Sequence, residues 1–364
     1  MIIKLQNNHT NHTNHTNQKI IIIKKIIYSF SILIGIAVLV FVMFQGFGDP
    51  AKMILGQAGD KKTIDNIRKD LYLDQPKWKQ FFLYLNDVSP IGIHDKNDIQ
   101  KKQLKGFFIG ADTKVGIKLP YLRNSYQTKK TVGSVLMEAL PGTLLLAISA
   151  MLFATFIGVL LGVMAAVKKD TWLDTSAVFA SVAGISAPSF FMAIVIAYLF
   201  GVVLHPYTGL NLTGSWFDID EVTGEKYLTL KNLILPAFTL GIRPLAIITQ
   251  LTRSSMLDVL NQDYIRTAHA KGLSRRTVIF KHALRNALNP VITAITGWFA
   301  ELLAGAFFVE YIFGWKGIGK ITVDALEKLD YPVVMGSVLI SGCIFILINS
   351  LTDILYGIVD PGVR

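Results

Sequence analysis

Apolar residues in this chain gather into six runs, at 26–44, 140–167, 176–204, 233–256, 287–313 and 334–359, with polar stretches between them. Each run holds about twenty residues or more, which at about 1.5 Å per helical residue suffices to cross the hydrocarbon core of a bilayer. The pattern predicts an all-α polytopic membrane protein with about six transmembrane helices. The first run follows Lys19, Lys24 and Lys25 and lacks a small-x-small cleavage site at 44–48. It therefore reads as an uncleaved anchor, residues 20–46, with its N-terminus in the cytoplasm. Pro188 and Pro244 are expected to break the third and fourth runs locally, because proline removes a backbone donor.

The polar stretches differ in character. Residues 1–19, with Asn-His-Thr three times over at 8–16, read as a disordered cytoplasmic tail. Residues 47–136 contain sixteen Lys/Arg, turn signals such as Asp74-Gln75-Pro76 and Ser89-Pro90, and helical spacing over 63–73. They are expected to form an extracytoplasmic insertion of helices and loops between helices 1 and 2. Long loops are exempt from the charge rule that keeps short basic loops inside. Residues 137–364 form a five-helix core. Its short connection Lys168-Lys169-Asp170 and its basic loop 257–285 fall on the cytoplasmic side with both termini. Gly158 and Gly162 make a GxxxG, and Ala300 and Ala304 a small-xxx-small pair, both signals of close helix packing. Trp172, Trp216, Tyr311, Trp315 and Tyr331 lie near run ends, where interfacial aromatics are expected.

Composition agrees with membrane embedding. Hydrophobic residues make up 52% and charged residues 17%, against about 25% charge in soluble chains. The net charge of +11 is read as cationic loops, not as a nucleic-acid surface. Cys343 is the single cysteine, so no intrachain disulfide or CxxC metal site exists. No Ser-His-acid set or metal-ligand cluster has useful spacing, and neither catalytic residues nor a cofactor are expected in the chain. Gly314 to Ile321 nearly matches GxxxxGK[ST], but Ile321 stands where Mg²⁺ needs a hydroxyl.

The stretch 263–290 reads DYIRTAHAKGLSRRTVIFKHALRNALNP. Tyr264-Ile265-x-x-Ala268 has helical spacing, Gly272 stands where that helix would end, and Ser274 is placed to cap the next. A short helix, a glycine break and a second basic helix entering the fifth run are predicted. Such a helix, held off the membrane by two spans, suits docking into a groove on another protein. Within this stretch, Arg266-Thr267-Ala268-x-x-x-Gly272 resembles the Glu-Ala-Ala-x-x-x-Gly loop of permeases of ATP-binding-cassette importers, matching at Ala268 and Gly272 and departing at the first two positions. The spacing to Pro290 resembles the dipeptide/oligopeptide/nickel class. Further segments are similar in the same order: Gly48-Asp49-Pro50, Leu73-Asp74-Gln75-Pro76, Leu140-Pro141-Gly142-Thr143, Ser186-Ala187-Pro188-Ser189-Phe190 and Leu235-Pro236-Ala237. Val309-Glu310-x-x-Phe313-x-x-x-Gly317-Ile318-Gly319 follows, with Lys316 where proline is usual, then Asp330-Tyr331-Pro332-Val333 and Asp360-Pro361.

The resemblance implies a transport subunit for peptides or related small solutes. It implies that Tyr264, Thr267, Ala268 and Gly272 lie at the contact with a cytoplasmic ATPase. It also implies its partners: a second permease subunit, two ATPase subunits that use ATP and Mg²⁺, and an extracytoplasmic solute-binding protein, all around a chain set in membrane lipid. Arg243 and Glu301 fall near the middle of antiparallel runs at similar depth. An unpaired charge there costs about 2.5–3.5 kcal/mol or more. They are expected either to line the pathway or to pair as a structural link. An ion-driven secondary transporter would show internal repeats, and none is seen. A membrane-anchored scaffold or receptor would need only one or two spans.

Overall fold

The computed structural model describes residues 27–43, 72–219 and 223–359, with isolated positions 24, 45, 65, 68 and 69. The Asn-His-Thr tail, Gly48-Asp49-Pro50, most of the helix expected over 63–73 and the terminal Asp360-Pro361 lie outside the described residues.

Helix α1 is Ile27–Met43. An insertion follows, containing α2 (Lys77–Val88), β1 (Ile91–Asp95), α3 (Lys96–Lys101), β2 (Gly106–Ile109) and β3 (Thr113–Lys118). The core then begins with α4 (Val132–Val167), eight residues earlier than the apolar run, since the helix continues into its own polar foot. The third run is two half-helices, α5 (Trp172–Ser186) and α6 (Ser189–Tyr198). The chain bends by 108° between them. Ala187 is extended (φ −79°, ψ 130°), as the residue before a proline prefers, so the expected break at Pro188 is present.

Pro244 behaves differently. Helix α7 (Ile234–Leu260) runs through it without interruption, and the expected break there does not occur. Pro244 is buried, and the one ladder bond it removes is tolerated where neighbouring helices enclose the backbone. After α8 (Asp263–Ala270) comes α9 (Leu284–Gly305), separated from α10 (Phe307–Ile312) by Ala306, so the fifth run is divided. Helices α11 (Ile318–Glu327) and α12 (Tyr331–Val359) complete the chain. Helices α4 and α12 are each long and apolar enough to cross a membrane alone, as is α7 with its leading turn from Leu230. Helix α5 meets that test together with Ser189–Val203, which is α6 and the turn after it, and α1 is a shorter apolar helix. The helix of the fifth run, α9, carries Arg285 and Glu301 within its length.

The core is built on α4 lying along α7. A Cβ on Gly158 would stand 2.9 Å from Ile248 Cγ2, and one on Gly162 would stand 2.6 Å from Thr252 Cβ and 2.7 Å from the Thr249 carbonyl. The GxxxG therefore marks a contact too close for any side chain. Ala300 is fully buried on α9. Of the aromatics expected at the interface, Trp172 is 74% exposed, whereas Trp315 and Tyr331 are buried. Trp315 is held inside because its indole N–H donates to the Gly142 carbonyl at 2.8 Å.

In the insertion, a three-stranded antiparallel sheet of order β1-β3-β2 stands where helices and loops alone were expected. Its strands are four to six residues long and contain Gly92, Gly106 and Gly116, which hide their period in a polar segment. Helix α2 docks the insertion on the bundle. The Phe81 and Tyr84 rings lie 5.2 and 5.9 Å from that of Phe41 on α1, and Tyr84 packs with Met335 and Leu339 of α12. At the insertion's end, the buried Asp330 carboxylate accepts from the Tyr126 N–H at 2.9 Å and from Ser125 Oγ.

Between α2 and the sheet lies a polar core. Asp87 takes a hydrogen bond from Lys102 Nζ at 2.7 Å, and Lys102 also donates to Tyr72. Lys118 Nζ donates to the Asp87 and Ser89 carbonyls at 2.5 and 2.9 Å. Burial pushes the Lys118 ammonium down to about 8 and lowers His94. Burial also works against the Lys102 charge, but Asp87 outweighs it and raises that pKa.

Candidate translocation and coupling sites

The loop after α7 folds as its residues dictate. Helix α8 ends in a Schellman closure. The Gly272 N–H donates to the His269 carbonyl at 2.9 Å and the Leu273 N–H to the Ala268 carbonyl at 3.3 Å. Gly272 takes φ +77°, the left-handed conformation such closures need. Ser274 Oγ then accepts from the Thr277 N–H at 3.3 Å, capping a helix that continues through residues 275–283 into α9.

Helix α8 has two faces. Ile265 and Ala268 are buried against Val163 and Ala166 of α4, Met256 of α7, and Val278, Ala283 and Ala287. Tyr264, Arg266, Thr267, His269 and Lys271 are exposed. Ala268 thus allows close approach to its own bundle. The outward surface near it is made by Tyr264, whose hydroxyl accepts from Asn286 at 2.8 Å, and by Thr267, which donates to the Asp263 carbonyl at 3.0 Å. Sequence reasoning missed one link behind this loop. Arg253 on α7 forms a two-point ion pair with Asp174 on α5, one of its bonds being Nη2 to Oδ2 at 2.8 Å.

Arg243 and Glu301 come together on one crevice of about 80 Å³. Gly184 and Ala187 line it from the end of α5, Ser189 and Met192 from α6, Arg243 and Pro244 from α7, and Trp298 and Glu301 from α9. The Arg243 guanidinium sits 5.6 Å from the centre of the Trp298 ring, within cation–π range. Both charged side chains are exposed to the crevice. Among the described residues no ion pair joins them. They are two separate charges of opposite sign on one wall, beside the break at Pro188.

The P-loop look-alike has another role. The Gly319 and Lys320 N–H groups, at the start of α11, donate to Glu310 Oε2 at 2.7 and 3.2 Å. Two amides that a phosphate would need are taken by the chain's own carboxylate. A Cβ on Gly317 would stand 2.3 Å from the same oxygen. The Ile318 N–H donates to Thr143 Oγ1 at 2.8 Å, and a Cβ on Gly142 would meet the Lys316 carbonyl at 2.1 Å. Segments 140–143 and 309–319, distant in sequence, are thereby one interlocked corner.

A membrane subunit with a broken span, a charged crevice beside it and a capped helix hung from two spans is the class of molecule these features define. The chain belongs to the family described as "Binding-protein-dependent transport system inner membrane component", matched over residues 158–364. The N-terminal region of such membrane components is matched over residues 19–147. It is an integral membrane transport subunit of that kind. It is similar to the dipeptide transport system permease protein DppB of Alkalihalophilus pseudofirmus, 34% identical over 94% of this chain and 98% of that one. The protein of the same name from Escherichia coli (strain K12) is 37% identical over 91% of this chain and 94% of its own. The glutathione transport system permease protein GsiC of Escherichia coli (strain K12) is 33% identical over 94% and 98%.

Proposed function

We propose that this chain is one half of the membrane path of an ATP-driven importer for short peptides, with both termini and helix α8 in the cytoplasm and the insertion outside. The observation that carries the peptide reading is the crevice. A zwitterionic peptide has one carboxylate and one ammonium, and Arg243 and Glu301 offer a partner for each without being paired to one another. Two mid-span charges left apart in this way are costly unless water or solute reaches them. The names of the relatives support the same solute class. The exposed face of α8, with Tyr264 and Thr267, meets a separate ATPase, and the turn at Gly272 sets its exit. A second permease supplies the facing wall, and a solute-binding protein delivers from outside. ATP and Mg²⁺ belong to the ATPase subunits.

Peptide uptake by cells relying on this chain and its partner subunits tests the reading. Arg243→Gln and Glu301→Gln should each lower uptake at least about tenfold, the cost of about 1.4 kcal/mol of lost solute interaction, at unchanged membrane abundance. Full uptake by both variants would refute the pathway role.

A further inference from the structure

Arg243 and Glu301 are opposite charges on one crevice, yet among the described residues no ion pair joins them. Two such groups ordinarily close on each other, because each is costly alone at mid-span and their attraction grows as water is excluded. What engages the Arg243 guanidinium instead is the Trp298 ring, whose centre lies 5.6 Å from it. Trp298 and Glu301 stand three residues apart on α9. Positions so spaced share a helix face, with Cβ atoms about 5–6 Å apart. The guanidinium therefore rests one turn short of a carboxylate within its reach. The ring is itself held in place. Trp298 is half-buried and packs against the apolar core that contains Leu240 and Leu302, and both of these also line the crevice.

We propose, resting on the crevice as a peptide path, that Trp298 is a positioning residue, which holds Arg243 off Glu301 so that both charges meet the solute unpaired. The chemistry follows from what an indole offers. A ring face attracts a cation but supplies no acceptor oxygen, so the fork of N–H donors that fits a carboxylate stays available. The hold is also weaker than a two-point bond to a carboxylate, so an arriving solute carboxylate draws the guanidinium from the ring. Leucine at 298 would keep apolar packing and lose the hold. Arg243 would then close on Glu301, and every solute would have to break that pair before binding. Phenylalanine keeps a ring face, less attractive to a cation than that of tryptophan.

The test is a mutant cycle in cells that rely on the full chain and its partner subunits. The readout is the maximal uptake rate of radiolabelled alanyl-alanine at saturating concentration, per chain in the membrane. Trp298→Leu should lower that rate at least about fivefold, and Trp298→Phe by less than about twofold, since the smaller ring still attracts the cation. In a Glu301→Gln background, and separately in Arg243→Gln, adding Trp298→Leu should cost less than about a further twofold, because no pair is left to prevent. If the leucine variant does not reach the membrane, Trp298→Met takes its place in the cycle. A ring that merely packs would impose the same loss in every background, and that additive result would overturn the proposal. So would a leucine variant at the wild-type rate, or a phenylalanine variant as impaired as the leucine one. Arg243→Gln and Glu301→Gln alone separate two failures. If both transport normally, the peptide path falls and the role of Trp298 with it; if both are impaired and the cycle is additive, only the role of Trp298 falls.

Discussion

Replacing Glu310 should show what holds the corner where α10, α11 and α4 meet. The side chain is fully buried, and its carboxylate takes both free amides at the start of α11. Glu310→Ala removes the acceptor and strands the buried Gly319 N–H and the partly buried Lys320 N–H. Each such group costs about 1–3 kcal/mol, so a loss of about 4 kcal/mol is expected. Glu310→Gln keeps an oxygen for the amides, so at most the difference between charge-assisted and neutral bonds is lost, about 1–2 kcal/mol. Reversible unfolding of the purified chain in mixed detergent–SDS micelles measures both. A loss under about 1 kcal/mol for the alanine variant, or a glutamine variant as damaged as the alanine one, would show that the carboxylate does not organise this corner.

Other substitutions probe separate contacts. Gly162→Ala places a Cβ against Thr252 and the Thr249 carbonyl of α7 and should cost about 1–3 kcal/mol as overpacking, read in the same micelle assay; Gly133→Ala, with nothing within 4 Å, is its neutral control. Asp174→Asn should lose about 2 kcal/mol of charged hydrogen bonding to Arg253, and Asp174→Asn with Arg253→Gln should recover part of it in a double-mutant cycle. Lys118 has a folded pKa of about 8, below its ordinary 10.5, so above pH 8 the unfolded chain binds more protons and stability should rise with pH. The rise should be read between pH 8 and 9.5, below the range where tyrosines titrate, and Lys118→Met should abolish it; an unchanged slope would remove Lys118 as its source.

The sequence shows the spans well because continuous apolar runs are a one-dimensional signal. It shows the loop after α7 equally well, since Gly272 and Ser274 act on their immediate neighbours. It does not show that Pro188 bends the chain while Pro244 leaves α7 intact, because the difference lies in what encloses each proline. The sheet of the insertion is concealed for another reason. Its strands are short, and their outward residues are apolar where a sheet's solvent face would ordinarily be polar. The family motifs are legible as an order along the chain. Their physical sense is that Gly142 and Thr143 on one side, and Glu310, Gly317 and Gly319 on the other, fit a single corner.

The placement of Ala268 changes how force would pass from an ATPase into the proposed path. Were Ala268 at the partner's surface, it would act by admitting the partner. It is instead buried with Ile265 against Met256 of α7 and against α4, which leaves Tyr264 and Thr267 exposed on the other face for the proposed contact. Only Asn261 and Gln262 separate α7 from α8, and α7 is clamped to α5 by Arg253 and Asp174. Arg243 lies ten residues, about 15 Å, further along the same continuous helix. There it meets the crevice where α5 ends. A displacement of α8 would reach α7 across two residues. Under the proposed function it would act on α7 and α5 together, and a change in the distance from Arg243 to Glu301 on α9 is the outcome to look for.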